Sequence, residues 1–517
     1  MNSYDGGDQT DLHDQKQQQQ RQQEAEEAAG NKLMMRLQQG GRRLVLFPSP
    51  LQGHLNPMLQ LATLLHTKGG FSITVVHTRF NSPSPSNYPQ FNFEPISDGI
   101  ISSSSGADQE SNITSDFIAL ITAINVNCVD PFRDCLLRLL SDDHDHIACI
   151  IADATMHFTQ AVAESLQLPR IILRTSSITS FVAFAAFPLL LQKGYLPMQD
   201  SELEKPVREL PPLKVKDLPV VNTKKPKNLY ELVAQMIEKA RSSSGIIWNS
   251  FEQLEQPALD IIRRDFHHIP IFPIGPFHKW SPAAYSSKRS SLLPEDHSCI
   301  SWLDRQAPRS VVYVSFGSLA DMNETELVEM AWGLVNSDQP FLWVVRPGLV
   351  NRASSCSSGG GVVAGLLPDG FEEMVTKSGR GCLVKWAPQQ QVLAHPAVGG
   401  FWTHSGWNST LESVCEGVPM LCRPFFGDQM VNARFVSEVW KVGFQFENCR
   451  HLERGEVERA IRRLMAVHHA QLDDDDEEMR IVRVRVRELK EKADLCVKEG
   501  GSSIQSIECL FNLILSF

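Results

Sequence analysis

The sequence predicts two doubly wound α/β domains that face each other across a cleft. Short apolar runs alternate with helical patterns, which is typical of parallel strands joined by helices. This alternation occurs before and after a stretch rich in Pro, Ser and Lys at 276–294. A chain of 517 residues is also long enough for about two to four domains. Ligands of such sheets bind beyond the carboxyl ends of the strands.

The first half of the chain begins with a βαβ unit. A buried strand is predicted at 44–47, and a helix at 57–65 starts with Pro57 and ends before two glycines. The later strands of this half are predicted at 71–76, 147–152, 170–173 and 245–248. The strands of the second half are predicted at 311–316, 341–345, 381–385, 399–403 and 419–422. Helices are predicted at 324–335 and 407–415 and within 489–517.

These patterns divide the chain into five parts. Residues 1–40 are rich in Gln and acidic residues and have few large apolar groups, so they are expected to be disordered. An N-terminal domain is predicted at 41–276, followed by a linker at 277–296. A C-terminal domain is predicted at 297–490, and a helix at 491–517 is expected to pack back on the N-terminal domain. The Ser/Gly run 354–361 and the acidic run 473–478 are interpreted as surface loops.

Composition excludes several functional classes. Hydrophobic residues make up 42% and charged residues 21%, with a net charge of −11, so a nucleic-acid partner is not expected. The longest apolar stretch, 181–191, is shorter than the roughly 18 residues that a membrane span needs. The eleven cysteines lack CxxC spacing, which argues against a zinc site or a disulfide scaffold. The start of the chain shows no apolar signal-peptide pattern, so a cytoplasmic location is expected. The protein is also expected to be a monomer.

The segment 386–429 carries the strongest chemical pattern. An apolar strand ends at Thr403 and passes through His404, Ser405 and Gly406 into a helix that begins near Trp407. Such a turn is an anion seat, because free backbone N–H groups and the positive end of the helix dipole meet there. His404 could donate to a phosphate oxygen, Glu412 could accept two hydroxyls, and Trp386 could stack on a flat base. Each residue also has a structural alternative: Ser405 as a helix cap, Trp386 as core and Glu412 as an exposed helix face.

This segment, WAPQQQVLAHPAVGGFWTHSGWNSTLESVCEGVPMLCRPFFGDQ, resembles the signature box of plant UDP-dependent glycosyltransferases over its full length. That group is glycosyltransferase family 1, and its members have the GT-B fold of two Rossmann-like domains. The chain from about residue 42 onwards is similar to the branch with steviol-glycoside and benzoxazinoid glucosyltransferases. The Gln-rich tail does not match, and the loop at 354–361 is longer than the family pattern.

The resemblance implies that the N-terminal domain binds the acceptor and that the C-terminal domain binds the UDP-sugar donor, with roles for eleven donor-site residues. It places Trp386, Ala387 and Gln389 at the uracil and Glu412 at the ribose. It also implies pyrophosphate contacts from His404, Asn408, Ser409 and Ser318, and sugar contacts from Trp407, Asp428 and Gln429. The glutamine at the end of the box favours UDP-glucose as donor.

A second pattern lies in the N-terminal half. His54 follows the first strand, and Asp153 ends the apolar run 147–152, so both lie at the carboxyl edge of one sheet. A carboxylate there could accept from the imidazole and fix its tautomer. Taken alone, His54 is more often a cap or a packed side chain. The family pattern implies that His54 is the general base and Asp153 its partner.

The resemblance implies inverting transfer of glucose to a hydroxyl of a small lipophilic acceptor, such as a plant specialised metabolite or hormone. Neither a metal nor another cofactor is expected. The run 143–145 (Asp-His-Asp) formally matches a metal-binding DxD but reads as a polar loop. Two alternatives remain open, a UDP-sugar sensor without catalysis and an NAD-dependent oxidoreductase, although the latter's Gly-rich fingerprint is missing after the first strand.

The acceptor pocket is predicted near His54, at the end of the strand that starts at Arg170. Its candidate lining residues are Thr175, Ser176, Phe181, Phe426 and Gly427. The alternative for Phe181, with Phe184 and Phe187, is the core face of a helix that Pro188 ends.

Overall fold

A computed structural model describes residues 42–100, 116–141, 146–221, 226–280, 291–346, 348–349, 367–368, 370–446, 452–466 and 477–517. The predicted tail, the Ser/Gly loop, the DxD-like run and all but the last two residues of the acidic run lie outside these residues. Glu477 and Glu478, which end that acidic run, are the first two residues of a helix rather than part of a loop.

The described residues of the N-terminal half form a seven-stranded parallel sheet with the order β3-β2-β1-β4-β5-β6-β7. Its strands are β1 (Arg42–Phe47), β2 (Ser72–Thr78), β3 (Asn92–Ile96), β4 (His146–Asp153), β5 (Arg170–Arg174), β6 (Gly245–Trp248) and β7 (Ile271–Pro273). The strand order reverses between β1 and β4, and the crevice of a doubly wound fold opens at such a point. His54 and Asp153 both lie there.

Helices cover both faces of this sheet. They are α1 (Gln52–Gly69), α2 (Phe117–Asn127), α3 (Val129–Leu140), α4 (Thr159–Ser165), α5 (Ile178–Ala185), α6 (Phe187–Gln192), α7 (Pro226–Arg241) and α8 (Glu252–Asp265). One apolar core lies between the sheet and α1, and another lies between the opposite face and the helices α2, α3 and α7.

The described residues of the C-terminal half form a six-stranded parallel sheet with the order β10-β9-β8-β11-β12-β13. Its strands are β8 (Val311–Ser315), β9 (Phe341–Val344), β10 (Gly381–Val384), β11 (Val398–Thr403), β12 (Met420–Cys422) and β13 (Gly443–Gln445). The accompanying helices are α9 (Ser298–Leu303), α10 (Glu324–Asn336), α11 (Phe371–Ser378), α12 (Gln389–Ala394), α13 (Trp407–Glu416), α14 (Asp428–Arg434) and α15 (Arg454–Met465). The prediction of two doubly wound domains is confirmed.

Two helices at the end of the chain connect the halves. The helix α16 (Glu477–Cys496) packs on the C-terminal core, whereas α17 (Ser502–Ser516) packs on the N-terminal sheet. Arg42 fixes the end of α17, because its guanidinium donates to the carbonyls of Ile514 and Leu515 at 3.1 and 2.8 Å. The predicted boundary at residue 490 therefore falls inside α16, and the chain crosses between the halves at 497–501. None of the helices among the described residues combines the length and apolar composition that a membrane span requires.

The prediction that the first helix starts at Pro57 is wrong. The helix α1 starts at Gln52, so His54 lies in its first turn and Pro57 in its second. Proline has no N–H for the carbonyl four residues earlier, which belongs to Gly53. That carbonyl accepts instead from Asn408 Nδ2 of the other half, at 2.7 Å.

The prediction about Pro188 is also wrong. The helix α5 ends at Ala185, and Pro188 is the second residue of the next helix, α6. Proline is well tolerated in a first turn, because the N–H that it lacks would have no partner within the helix.

Candidate active site

A cavity of about 340 Å³ lies between the two sheets, and its lining comes from the carboxyl ends of strands in both halves. Seventeen of the eighteen donor, catalytic and acceptor residues proposed from the sequence line this cavity, and the exception is Phe181.

His54 and Asp153 meet at the N-terminal wall of this cavity. His54 Nδ1 lies 2.8 Å from Asp153 Oδ2, and Thr175 Oγ1 lies 2.9 Å from the same nitrogen. Asp153 is 1% exposed and also accepts from the backbone N–H and the hydroxyl of Thr155, at 2.9 and 2.6 Å. An ionised Asp153 therefore holds the proton of His54 on Nδ1.

The pKa values of this pair move in opposite directions. Burial alone would lower the pKa of His54, but the charge and hydrogen bond of Asp153 outweigh it, so the pKa is raised above 6.5. Burial alone would raise the pKa of Asp153, but the attraction to His54 and the hydrogen bonds from His54 and Thr155 lower it. The carboxylate is therefore ionised at neutral pH.

The opposite wall is the N-terminus of α13. Its N-cap is Gly406, which has no side-chain cap, so the alternative that Ser405 caps this helix is wrong. Ser405 instead has a φ of +63°, and its backbone N–H donates to Thr403 Oγ1 at 3.1 Å. The first amides of the helix are thus left for an anion.

His404 lies beside this helix start between two glycines. A Cβ atom at Gly317 would lie 2.6 Å from His404 Nε2, and one at Gly406 would lie 2.4 Å from it. Burial and the charge of Arg346 lower the pKa of His404 to about 4. The imidazole is therefore neutral and can still donate one N–H to a phosphate oxygen.

A hydrogen-bonded group lies one turn further along α13. Gln389 Nε2 donates to Ser409 Oγ at 2.9 Å and to Glu412 Oε2 at 2.8 Å, while Gln390 Nε2 donates to Glu412 Oε1 at 2.8 Å. Burial raises the pKa of Glu412, and the two glutamine hydrogen bonds oppose that rise. Glu412 is therefore not the exposed helix face of the alternative interpretation. Trp386, partly buried, lines the cavity near this group.

Two residues of the box contact the N-terminal half. The indole N–H of Trp407 donates to the Asn249 carbonyl at 2.7 Å, and Asn408 Nδ2 donates to the Gly53 carbonyl. The Trp407 indole N–H is therefore already used, which leaves only the backbone N–H of this residue for a sugar or phosphate.

The end of the box forms the corner nearest to His54. Asp428 Oδ2 accepts from Asn432 Nδ2 at 3.2 Å, and Gln429 Oε1 accepts from the backbone of Phe425 and Phe426 at 3.0 and 3.4 Å. Burial raises the pKa of Asp428, opposed by Asn432 and by the charges of His54 and Arg174. Phe426 and Gly427 line the cavity beside them.

On the predicted acceptor side, Thr175 and Ser176 line the cavity, but Phe181 does not. Phe181 is fully buried against Trp248 and Phe266, because α5 turns that face toward the core. The alternative of a core helix is thus correct for this residue, and Phe184 lines the cavity instead.

Sequence reasoning missed two further groups of lining residues. Arg174 ends β5 beside Thr175, and a charged residue directly after an apolar strand was the available signal. An apolar wall comes from α2 and α7, with Phe117, Leu229, Leu232, Val233, Met236 and Ile237 among its residues. In the described part of the chain, no group of three or more His, Cys, Asp or Glu residues could hold a metal ion.

The family model described as UDP-glucoronosyl and UDP-glucosyl transferase matches residues 59–471. The chain is 47% identical to UDP-glycosyltransferase 76B1 of Arabidopsis thaliana, over 92% of this chain and 98% of that protein. It is 44% identical to UDP-glycosyltransferase 76G1 of Stevia rebaudiana, over 92% and 97% of the two chains.

Solved structures of plant enzymes have the same architecture. Phytolacca americana UGT2, complexed with UDP-2fluoro-glucose and pterostilbene, superposes with a TM-score of 0.72 at 27% identity, covering 92% of this chain and 100% of that one. Medicago truncatula UGT71G1, complexed with UDP-glucose, gives a TM-score of 0.72 at 25% identity, covering 92% and 98%. The alternative of an NAD-dependent oxidoreductase is therefore wrong. This chain belongs to the UDP-glucoronosyl and UDP-glucosyl transferase family and is a UDP-dependent glycosyltransferase with the GT-B fold.

Proposed function

We propose that the enzyme transfers glucose from UDP-glucose to a hydroxyl of a small lipophilic acceptor and inverts the anomeric carbon. The observation that carries this proposal is the position of two groups on opposite walls of one cavity. The hydrogen-bonded pair of His54 and Asp153 lies on the N-terminal wall, and the uncapped start of α13 lies on the other.

His54 acts as the general base. An acceptor alcohol has a pKa far above 7, so its proton must leave as the oxygen attacks. Asp153 keeps a proton on Nδ1 of His54, and Nε2 makes no hydrogen bond to a described residue. Nε2 is therefore the nitrogen that takes the proton of the acceptor, while the charge of Asp153 stabilises the imidazolium that forms.

The start of α13 stabilises the leaving group. The acceptor oxygen forms a bond to C1 of glucose as the bond from C1 to the UDP oxygen breaks, and UDP takes the electron pair. The free amides at Trp407, Asn408 and Ser409 and the neutral His404 can donate to the diphosphate as its charge grows. Attack opposite to the departing UDP converts the α-linked donor into a β-glucoside, without a nucleophile from the protein. We propose that no metal is required.

The corner at Asp428 and Gln429 supports glucose as the transferred sugar. Both residues are polar, line the cavity at the start of α14, and are fixed by hydrogen bonds to Asn432 and to the loop before them. A relative named DIMBOA UDP-glucosyltransferase BX8, from Zea mays, is 41% identical over 91% of this chain. The apolar wall from α2 and α7 supports a lipophilic acceptor. A cytoplasmic location and a monomeric state stay predictions.

The test is an assay of UDP-glucose with a panel of phenols and aliphatic alcohols, followed by NMR of each product. We expect glucosides whose anomeric proton shows the large coupling of a β linkage. An α linkage would contradict inversion. Binding of UDP-glucose without transfer to any member of the panel would contradict the proposed class of acceptor.

A further inference from the structure

Two buried arginines on the same strand differ in how many hydrogen bonds their guanidinium groups make. Arg170 and Arg174 lie four residues apart on β5, so they point to the same face, and they are 2% and 5% exposed. The guanidinium of Arg170 donates to Thr159 Oγ1 at 2.7 Å and to Gln160 Oε1 at 3.0 Å, inside the fold. Arg174 ends the strand at the cavity.

Few of the N–H groups of the Arg174 guanidinium have hydrogen-bond partners among the described residues. Its only side-chain hydrogen bond to a described residue runs to Ser176 Oγ at 3.1 Å, and its Nε is buried without a partner. The guanidinium stacks over the ring of Phe181, with 4.6 Å to the ring centroid. Among the described residues no carboxylate forms an ion pair with Arg174, and the nearby Asp153 and Asp428 hydrogen-bond to His54, Thr155 and Asn432 instead. A buried cation in this state is costly unless an anion joins it.

Arg174 is also the only arginine or lysine among the described residues that line the cavity. Burial lowers the pKa of its guanidinium to about 10, with partial opposition from Asp153 and Asp428, so it carries its charge at neutral pH. It lies next to Thr175, which contacts His54, and so belongs to the acceptor side. The amides that suit the diphosphate lie on the other domain, at α13.

We propose that Arg174 binds a carboxylate of the acceptor, so that the enzyme glucosylates hydroxyl groups of carboxylic acids with an apolar body. This inference rests on the proposed transfer of glucose. The acid would place its carboxylate on Arg174, its hydroxyl at His54 and its carbon skeleton against the wall formed by Phe117, Phe184 and α7. A planar guanidinium can grip a carboxylate through two parallel hydrogen bonds, which also orients the hydroxyl.

The test uses three pairs of acceptors, because the span from hydroxyl to carboxylate must match the site. They are 4-hydroxybenzoate, 4-hydroxyphenylacetate and 3-(4-hydroxyphenyl)propanoate, each with its methyl ester. We expect kcat/KM for at least one acid to exceed that for its ester by roughly tenfold or more, as for a hydrogen bond to a charged group. The product should be the phenolic glucoside, because the carboxylate is held away from His54. A glucose ester, or esters used as well as acids in all three pairs, would overturn the proposal.

Substitutions of Arg174 and Phe184 distinguish binding of the acceptor carboxylate from general effects on the pocket and on the donor. Arg174→Gln should lower the ratio of acid to ester at least tenfold, whereas Arg174→Lys should keep much of it. Phe184→Leu is the matched control in the same pocket and should change acid and ester by the same factor. If Arg174→Gln raises the KM for UDP-glucose tenfold but leaves the ratio unchanged, the arginine serves the diphosphate and the proposal is wrong.

A binding measurement keeps the inference testable even if no transfer occurs. Titration of the UDP-bound enzyme with each acid and ester should show tighter binding of one acid, and Arg174→Gln should remove that difference. Equal binding of acid and ester by the wild-type enzyme would overturn the inference. Failure of transfer with this difference preserved would count against the proposed reaction alone.

Discussion

Replacing Asp153 by Asn tests how His54 becomes a base. The asparagine can still accept from the N–H and hydroxyl of Thr155, at the 2.9 and 2.6 Å now seen for Asp153 Oδ1. Its NH2 group would then face His54 Nδ1, which is 2.8 Å from Oδ2 in the wild type. Nδ1 would have to accept, so the proton would move to Nε2 and block the nitrogen that takes the acceptor proton.

The expected loss is large because both tautomer and charge are affected. A wrong tautomer in a comparable carboxylate–histidine pair costs about 10⁴ in kcat, and general-base catalysis contributes about 10²–10⁴. We therefore expect kcat of Asp153→Asn to fall by about 10³–10⁴, or about 4–5.5 kcal/mol of activation free energy. Thr175→Val removes the other contact of His54 Nδ1, a neutral hydrogen bond that contributes about 0.5–1.5 kcal/mol. We therefore expect kcat of this variant to fall only about two- to tenfold.

The assay is release of UDP and formation of glucoside across a range of pH. In the wild type, kcat/KM should rise with pH through the pKa of His54, which lies above 6.5, because the base must be unprotonated. Loss of the Asp153 charge removes what raises that pKa, so the acidic limb of Asp153→Asn should move to lower pH. A variant with more than about a tenth of wild-type kcat, or with an unmoved limb, would refute this assignment.

Three further predictions concern the donor, the sugar and stability. His54→Ala should abolish transfer but keep the dissociation constant of UDP within about threefold, measured by calorimetry, because base and nucleotide seat lie on different domains; a large loss of UDP affinity would contradict this. The kcat/KM for UDP-glucose should exceed that for UDP-galactose, and Gln429→Ala should reduce the ratio of the two values. Equal kcat/KM for both donors in the wild type would contradict a role of Gln429 in sugar choice. Asp217→Asn should cost about 1.5–3 kcal/mol of unfolding free energy, because it removes the bidentate charged acceptor of buried Arg434 and leaves Glu438 at 3.5 Å as the remaining carboxylate. Asp130→Asn in an exposed ion pair should cost less than about 1 kcal/mol. Denaturant unfolding compares the two, and similar losses would contradict the burial argument.

The central strands were predictable from sequence, whereas three of the four edge strands were not. Strands such as β1 and β4 are covered on both faces and read as continuous apolar runs. The missed strands β3, β7 and β13 all lie at sheet edges. β3 contains a proline and is mostly not buried, and the other two have three residues each. An edge strand needs fewer apolar residues, so its pattern is weak.

The residues of the candidate site also differ in how well the sequence predicts their positions. Residues within one strand–helix turn, such as His404 and Glu412, could be placed because local chain geometry fixes their neighbours. His54 and Asp153 could be placed because β1 and β4 were both readable as strands of one parallel sheet. Phe181 could not, since a helix of eight residues with several phenylalanines does not reveal which face turns to the core. Arg174 was missed for a different reason, because only the fold shows that its guanidinium lines the cavity and forms no ion pair with a described carboxylate.

Contacts between the domains are the features that the sequence predicts least well, yet they bring the two walls of the site together. Asn432 accepts from Ser177 Oγ at 2.8 Å across the cleft and donates to the Ser405 carbonyl at 3.0 Å and to Asp428. Asn432 therefore links the start of α5 to the turn before α13 and to the corner of the cavity formed by Asp428 and Gln429. Pro57 contributes in the same direction, because the N–H that it lacks leaves the Gly53 carbonyl to Asn408. Each domain thus supplies polar groups that its own secondary structure leaves unsatisfied, and contacts across the cleft satisfy them while they hold the two walls of the site together.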